Sequence, residues 1–140
     1  MKFNLERFRE AQENNYETAL REIKNGKKQS HWMWYIFPQL KGLGYSPMAK
    51  YYAIENKKEA EAYIRDDELR ERLIEISEAL LSLECSNPSR VMGYPDDLKL
   101  QSSMTLFAIT APDIDVFEKV LDKFYRGEKD ENTVELLKEE

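Results

Sequence analysis

Ser30-His31-Trp32-Met33-Trp34-Tyr35-Ile36-Phe37-Pro38-Gln39-Leu40 carries both tryptophans and the only histidine of the chain. How this stretch is read decides the fold. As a strand it would set Trp32, Trp34 and Ile36 on one face, with His31, Met33, Tyr35 and Phe37 on the other. As a helix, His31 to Phe37 is apolar on every face, and such a helix lies buried at the centre of a fold. The surroundings favour the helix. No segment elsewhere sustains a period-two alternation of β-branched residues, so no strand is required to pair with it. Two indoles beside an imidazole mark either a core keystone or the wall of a pocket, and the residues alone leave both open.

Outward from this stretch, the punctuation is helical. Leu5, Phe8, Ala11, Tyr16, Ala19, Leu20 and Ile23 recur at helical spacing, with Asn4 placed to cap their start and Gly26 to close their end. Ser46-Pro47 is a capping serine followed by proline at the first helical position, and Asn87-Pro88 repeats the device in a short turn ending at Gly93. Asn56 with Glu59 forms a capping-box pattern ahead of Ala60, Tyr63 and Ile64. Asp66 or Asp67 opens the longest apolar series, Leu69, Leu73, Ile76, Ala79, Leu80 and Leu83. Pro95-Asp96-Asp97 starts a helix reaching about Thr110. Pro112-Asp113 starts another that buries Phe117, Val120, Leu121 and Phe124, and Asn132 is placed to cap a last short one. The expected fold is all-α, a single compact multi-helical domain over residues 1–140 with the aromatic segment buried at its centre.

Composition agrees. A chain of 140 residues, 41% apolar, can bury a sizeable core. Charged residues make up 34% and are mixed in sign, as solvated helix faces require, and the net charge of −6 argues against general nucleic-acid binding. The short basic run Lys24, Lys27 and Lys28 is read as complementing the C-terminal end of the first helix. One cysteine, Cys85, rules out an internal disulfide framework and fits a reducing compartment. Neither an apolar leader core nor an apolar run near ~20 residues is present, so the expectation is a cytoplasmic protein without a membrane segment.

Two blocks of this sequence resemble a bacterial family of unknown function. They are Ser30 to Trp34 with Ile36 to Leu40, Gly42-Leu43-Gly44 and Ser46 to Ala49, and then Gly93 to Leu100 with Ser102 to Phe107. The family is domain of unknown function 1810, a mycobacterial hypothetical-protein superfamily. The resemblance spans essentially the whole chain and implies a mainly helical domain with no assigned activity. Some members carry the label calpastatin, but a calpain inhibitor of that kind would be disordered, whereas this capping pattern predicts a packed domain.

The residues able to carry chemistry fall in the same two blocks. His31 is the one side chain with an ordinary pKa near neutrality, hence the candidate general acid or base, although a half-buried histidine bonded to a carbonyl would look the same. Trp32 and Trp34 offer a stacking surface or simply core mass. Asp96 and Asp97 exceed what capping one helix needs, leaving room for a histidine partner or a ligand hydroxyl. No second histidine or cysteine pair accompanies them, and no metal site is assigned. Lys99, Ser102 and Ser103 share a helix face, with Leu100, Met104 and Phe107 on the buried side, so the polar stripe is expected to be accessible. Gln39 and Tyr94 complete the candidate set, and Gly42-Leu43-Gly44 reads as a tight turn.

Two functions remain open at this level. In the first, the two blocks converge on a pocket for a nucleotide-like or phosphorylated small molecule. His31, Asp96 and Asp97 would be its catalytic groups, and Trp32, Trp34, Gln39, Tyr94, Lys99, Ser102 and Ser103 its binding groups. Hydrolysis or group transfer would be the natural reaction class. In the second, the blocks form only core, and the protein is a non-enzymatic interaction domain. Neither a cofactor nor an oligomeric state follows from the sequence.

Overall fold

The structure, a computed structural model, describes residues 3–140. Met1 and Lys2, which begin the stretch read as lacking a leader core, lie outside the described residues. Among these residues the chain forms ten helices, and its only β pairing is an isolated parallel bridge between Leu40 and Ile54. The all-α reading holds.

The apolar series at the start makes two helices, α1 (Glu6–Glu13) and α2 (Tyr16–Lys24), rather than one. The break falls at Asn14 and Asn15, where the Asn15 side-chain amide donates to the carbonyl of Ala11 at 2.7 Å. An asparagine that bonds its own backbone competes with helix continuation. The aromatic stretch supplies only the single turn α3 (Met33–Ile36). After it come α4 (Pro47–Tyr51), α5 (Lys57–Arg65) and α6 (Asp67–Leu81). Four of the expected caps form, three of them in these helices: Ser46 accepts from the Ala49 N–H, Asn56 from Glu59, and Asp66 from Leu69. The remaining helices are α7 (Pro88–Met92), α8 (Asp96–Thr110), α9 (Val116–Tyr125) and α10 (Glu131–Lys138). Asn87 caps α7, accepting from Ser89 and Arg90. α9 begins four residues after Pro112, and α10 is capped by Asp130 rather than Asn132, through the Thr133 N–H and hydroxyl.

The helix at the centre is α8. It packs against α5, α7, α9 and α10, and buries residues on every side, from Leu100 and Met104 to Ser103 and Thr105. Phe107 joins Tyr63 and Phe117 in the aromatic core, with ring centroids 5.3 and 5.9 Å away. The expected accessible stripe is therefore corrected: Ser103 is fully buried and Ser102 nearly so. The Ser102 and Thr105 hydroxyls can be buried here because the helix backbone takes their hydrogen bonds. Ser102 donates to the Leu98 carbonyl at 3.2 Å, and Thr105 to Gln101 at 2.8 Å. The aromatic stretch is also buried, its single turn packing against α1, with Trp34 partly buried.

No helix of the described residues is long and apolar enough to cross a membrane.

Candidate functional site

The site grows from a loop whose two ends are tied together. The Lys41 N–H donates to the Ile54 carbonyl and the Ile54 N–H to the Gln39 carbonyl, both at 2.8 Å. Between them, residues 42–53 turn at Gly42 (φ +103°) and rise into α4, whose five residues include none that is buried. The far end of the loop is held by Arg7. Its guanidinium donates to the carbonyls of Asn4, Tyr51 (2.8 Å) and Ala53 (2.8 Å) and pairs with the buried Glu59 at 2.9 Å. One buried cation thus satisfies carbonyls that would otherwise have no donor. Glu59 also accepts from the Glu55 N–H, outside the loop.

This loop and the aromatic stretch enclose a cavity of about 210 Å³. Met33, Trp34, Phe37 and Leu40 form one wall, and Gly44, Ala49, Tyr52 and Ala53 the other, with Gln39, Tyr45, Ser46 and Lys99 at the polar edge. The close approach of Gly44 to Ala49 shapes it: a Cβ on Gly44 would stand 2.7 Å from that of Ala49. The Lys99 ammonium lies 5.8 Å from the centroid of the Trp34 ring, within cation–π range. The Trp34 indole N–H is shielded from solvent and has no hydrogen-bond partner among the described residues. Tyr52 packs on Tyr35 and Phe8, and burial raises its hydroxyl pKa.

The structure joins the two sequence blocks, but through Lys99, Trp34 and Gln39 rather than through the histidine. The exposed His31 imidazole makes no hydrogen bond or ion pair among the described residues, and only its carbonyl accepts, from the Tyr35 hydroxyl. Asp97 is buried and engaged, accepting from the Ser89 hydroxyl at 2.7 Å and from the Leu98 N–H at 2.9 Å. Asp96 pairs with Lys28 at 2.8 Å and with Lys99 at 3.5 Å. Lys28 therefore serves the start of α8, not the end of α2, and its ammonium also lies 4.9 Å from the Trp32 ring. Tyr94 is 80% exposed, and Ser103 is sealed in the core without a partner for its hydroxyl. Ser102 borders a second cavity of about 290 Å³ that shares Gln39 and Lys99 with the first.

Trp32 has a different task. It is fully buried, and its indole donates to Glu22 at 2.9 Å. The same carboxylate accepts from the N–H groups of Gln29 (2.8 Å) and Ser30 (2.9 Å) and from the Ser30 hydroxyl. Burial pushes the Glu22 pKa up, but these four donors outweigh it and hold the group at about 2, below its ordinary 4.5.

Glu22, Arg7 and the loop residues Tyr45, Ser46, Ala49, Tyr52 and Ala53 were not among the sequence candidates. Ser46 and Glu59 left a local signal in their capping patterns. Arg7 and Glu22 left none, since their partners lie 52 and 7 to 10 residues away and no periodicity marks such pairs.

A family model described as "Protein of unknown function (DUF1810)" matches residues 2–137. The fold is similar to a solved structure, the conserved hypothetical protein Rv1873 from Mycobacterium tuberculosis. The two are 43% identical, the match covers 97% of each chain, and the TM-score is 0.95. No curated protein matches.

Proposed function

The chain belongs to the DUF1810 family, and from its geometry we propose that it binds a small organic anion with a planar, apolar body in the aromatic cavity. The observation that carries this reading is the pairing of Lys99 with Trp34 at the cavity edge, 5.8 Å from ammonium to ring centroid. The cavity walls suit a flat apolar group, and Lys99 supplies the charge complement. Asp96 does not cancel that charge, because it is shared by two ammonium groups, Lys28 and Lys99. A buried N–H without an acceptor is a deficit of about 1–3 kcal/mol, and the Trp34 indole is such a group. That N–H is shielded from solvent, so the ligand's oxyanion is met by Lys99.

The proposal is binding rather than turnover. The titratable side chains on the cavity are Lys99, Tyr45 and Tyr52, and His31, Asp96 and Asp97 stand off it. A phosphorylated ring compound is the simplest molecule that meets both demands, and phenyl phosphate is the probe of choice. Titration should quench tryptophan fluorescence saturably. Trp34→Phe should abolish the quench, since Trp32 is anchored away on Glu22. Lys99→Met, which keeps an apolar stem, should weaken binding at least tenfold. Absence of saturable binding at millimolar phenyl phosphate, or binding indifferent to Lys99→Met, would refute the reading.

A further inference from the structure

The second cavity, about 290 Å³, adjoins the first and is lined by Ser102, Asp130, Asn132, Leu43 and Pro95 together with Gln39 and Lys99. Taken singly, each cavity falls below the about 300–1,000 Å³ of common small-molecule sites, and as one groove they come within it. Gln39 and Lys99 are the residues common to both, so they form the waist of that groove. Resting on the reading of the aromatic cavity given above, we propose that the ligand has two halves joined by a bridging anion. A planar ring occupies the aromatic cavity, a phosphodiester sits at Lys99, and a hydroxyl-bearing group occupies the second cavity.

The chemistry of the two ends differs in the way this requires. The aromatic cavity offers rings and methyl groups. The second offers acceptors: Asp130 spends Oδ2 on the Thr133 N–H and hydroxyl and has Oδ1 without a protein partner among the described residues, and the Asn132 amide is likewise unbonded. A carboxylate there disfavours a second anion and favours donor hydroxyls. The waist carries one ammonium, Lys99, whose partner Asp96 lies off both cavities and is shared with Lys28, so its positive charge is left to match a single negative one. An anion with ligand on both sides must be a bridging group. A carboxylate is terminal, whereas a phosphodiester bridges and carries one charge.

The test compares phenyl phosphate with phenyl glyceryl phosphate, by calorimetric titration of the full chain. The diester should bind wild type at least tenfold more tightly. Asn132→Ala and Ser102→Ala should erase that advantage while leaving phenyl phosphate affinity unchanged. Neither residue caps a helix, α10 being capped by Asp130, and retained phenyl phosphate binding reports that each variant is folded. If the diester binds no better than phenyl phosphate, or keeps its advantage in both variants, the second half-site is overturned while the aromatic cavity stands. If neither compound binds, both readings fall together.

Discussion

Trp32 and Trp34 stand two residues apart in a segment of one composition, yet they belong to opposite kinds of environment. Around Trp32 every polar group is used: the Glu22 carboxylate takes four hydrogen bonds and fastens residues 29–32 to α2. Around Trp34 polar capacity is left over, in an indole N–H without an acceptor and a lysine at the edge of an open cavity. The first arrangement is what a folded protein needs to hold a loop. In the second, the lysine at the cavity edge is what remains available for a ligand. Rarity of residue type does not separate them, and satisfaction of hydrogen bonds does.

The comparison breaks most visibly at Glu22. Glu22→Ala leaves the Gln29, Ser30 and Trp32 donors without their acceptor, and removing one partner of a buried charged network costs about 3–5 kcal/mol. Urea denaturation should show that loss as a lower midpoint. The matching change on the other side, Lys99→Met, should leave the midpoint within about 0.5 kcal/mol of wild type, because the Lys99 side chain is 31% exposed and its ion pair with Asp96 is long. Equal losses at both positions would erase the distinction.

Acid provides the second handle. In the unfolded chain Glu22 titrates at its ordinary value of 4.5, and in the folded chain at about 2. The ionised form is therefore favoured by folding, and its contribution is fully present above about pH 4.5 and lost as pH falls toward 2. At about 1.4 kcal/mol per unit, it amounts to about 3 kcal/mol. Stability measured from pH 5 down to pH 2 should fall by roughly this amount more in wild type than in Glu22→Gln. A parallel decline in the two proteins would show that the donors do not hold the charge.

The same contrast explains what could be read in the chain before its fold was seen. Ser46, Asn56, Asp66 and Asn87 were legible as caps because a cap is a bond between a side chain and backbone two or three residues on. The split between α1 and α2 was not, since the apolar spacing runs on through Asn14 and Asn15. The central place of α8 was hidden for another reason. Ser102, Ser103 and Thr105 count as polar in any pattern, although Ser102 and Thr105 are satisfied by their own helix and can be buried. Within the site, the meeting of the two blocks was legible from their composition. The groups that meet were not, because side-chain direction at His31 and Asp97 depends on packing with distant residues. Asp97 turns to Ser89, and its own carbonyl accepts from the Tyr125 hydroxyl.

Gly44 offers a smaller effect that reaches the cavity directly. Gly44→Ala forces a methyl group to 2.7 Å from the Ala49 Cβ, a contact that must be relieved by moving the loop. Overpacking of this kind costs about 1–3 kcal/mol, and the lower end is expected because α4 buries none of its residues. Affinity for phenyl phosphate should fall with it. The double change Gly44→Ala, Ala49→Gly should restore the affinity by returning the volume. Restored binding without restored stability would assign the loss to Ala49's helix preference rather than to the contact.

A small effect is also expected at Trp34 itself. Trp34→Phe removes apolar surface, which destabilises, and also removes an indole N–H that is buried without a partner, which stabilises. The two terms are each of order 1 kcal/mol and opposed, so the urea midpoint should move by less than about 1 kcal/mol. The identical change at Trp32, which is fully buried, loses more buried surface and, in addition, a hydrogen bond to the Glu22 carboxylate, worth about 1.5–3 kcal/mol for a charged acceptor. The difference between the two variants combines this polar term with the larger apolar loss at the fully buried Trp32. A gap of about 2 kcal/mol or more locates the spent polar capacity at Trp32 and the unspent capacity at Trp34. Were the order reversed, the indole of Trp34 would have to be bonded in solution, and the contrast between the two tryptophans would fail.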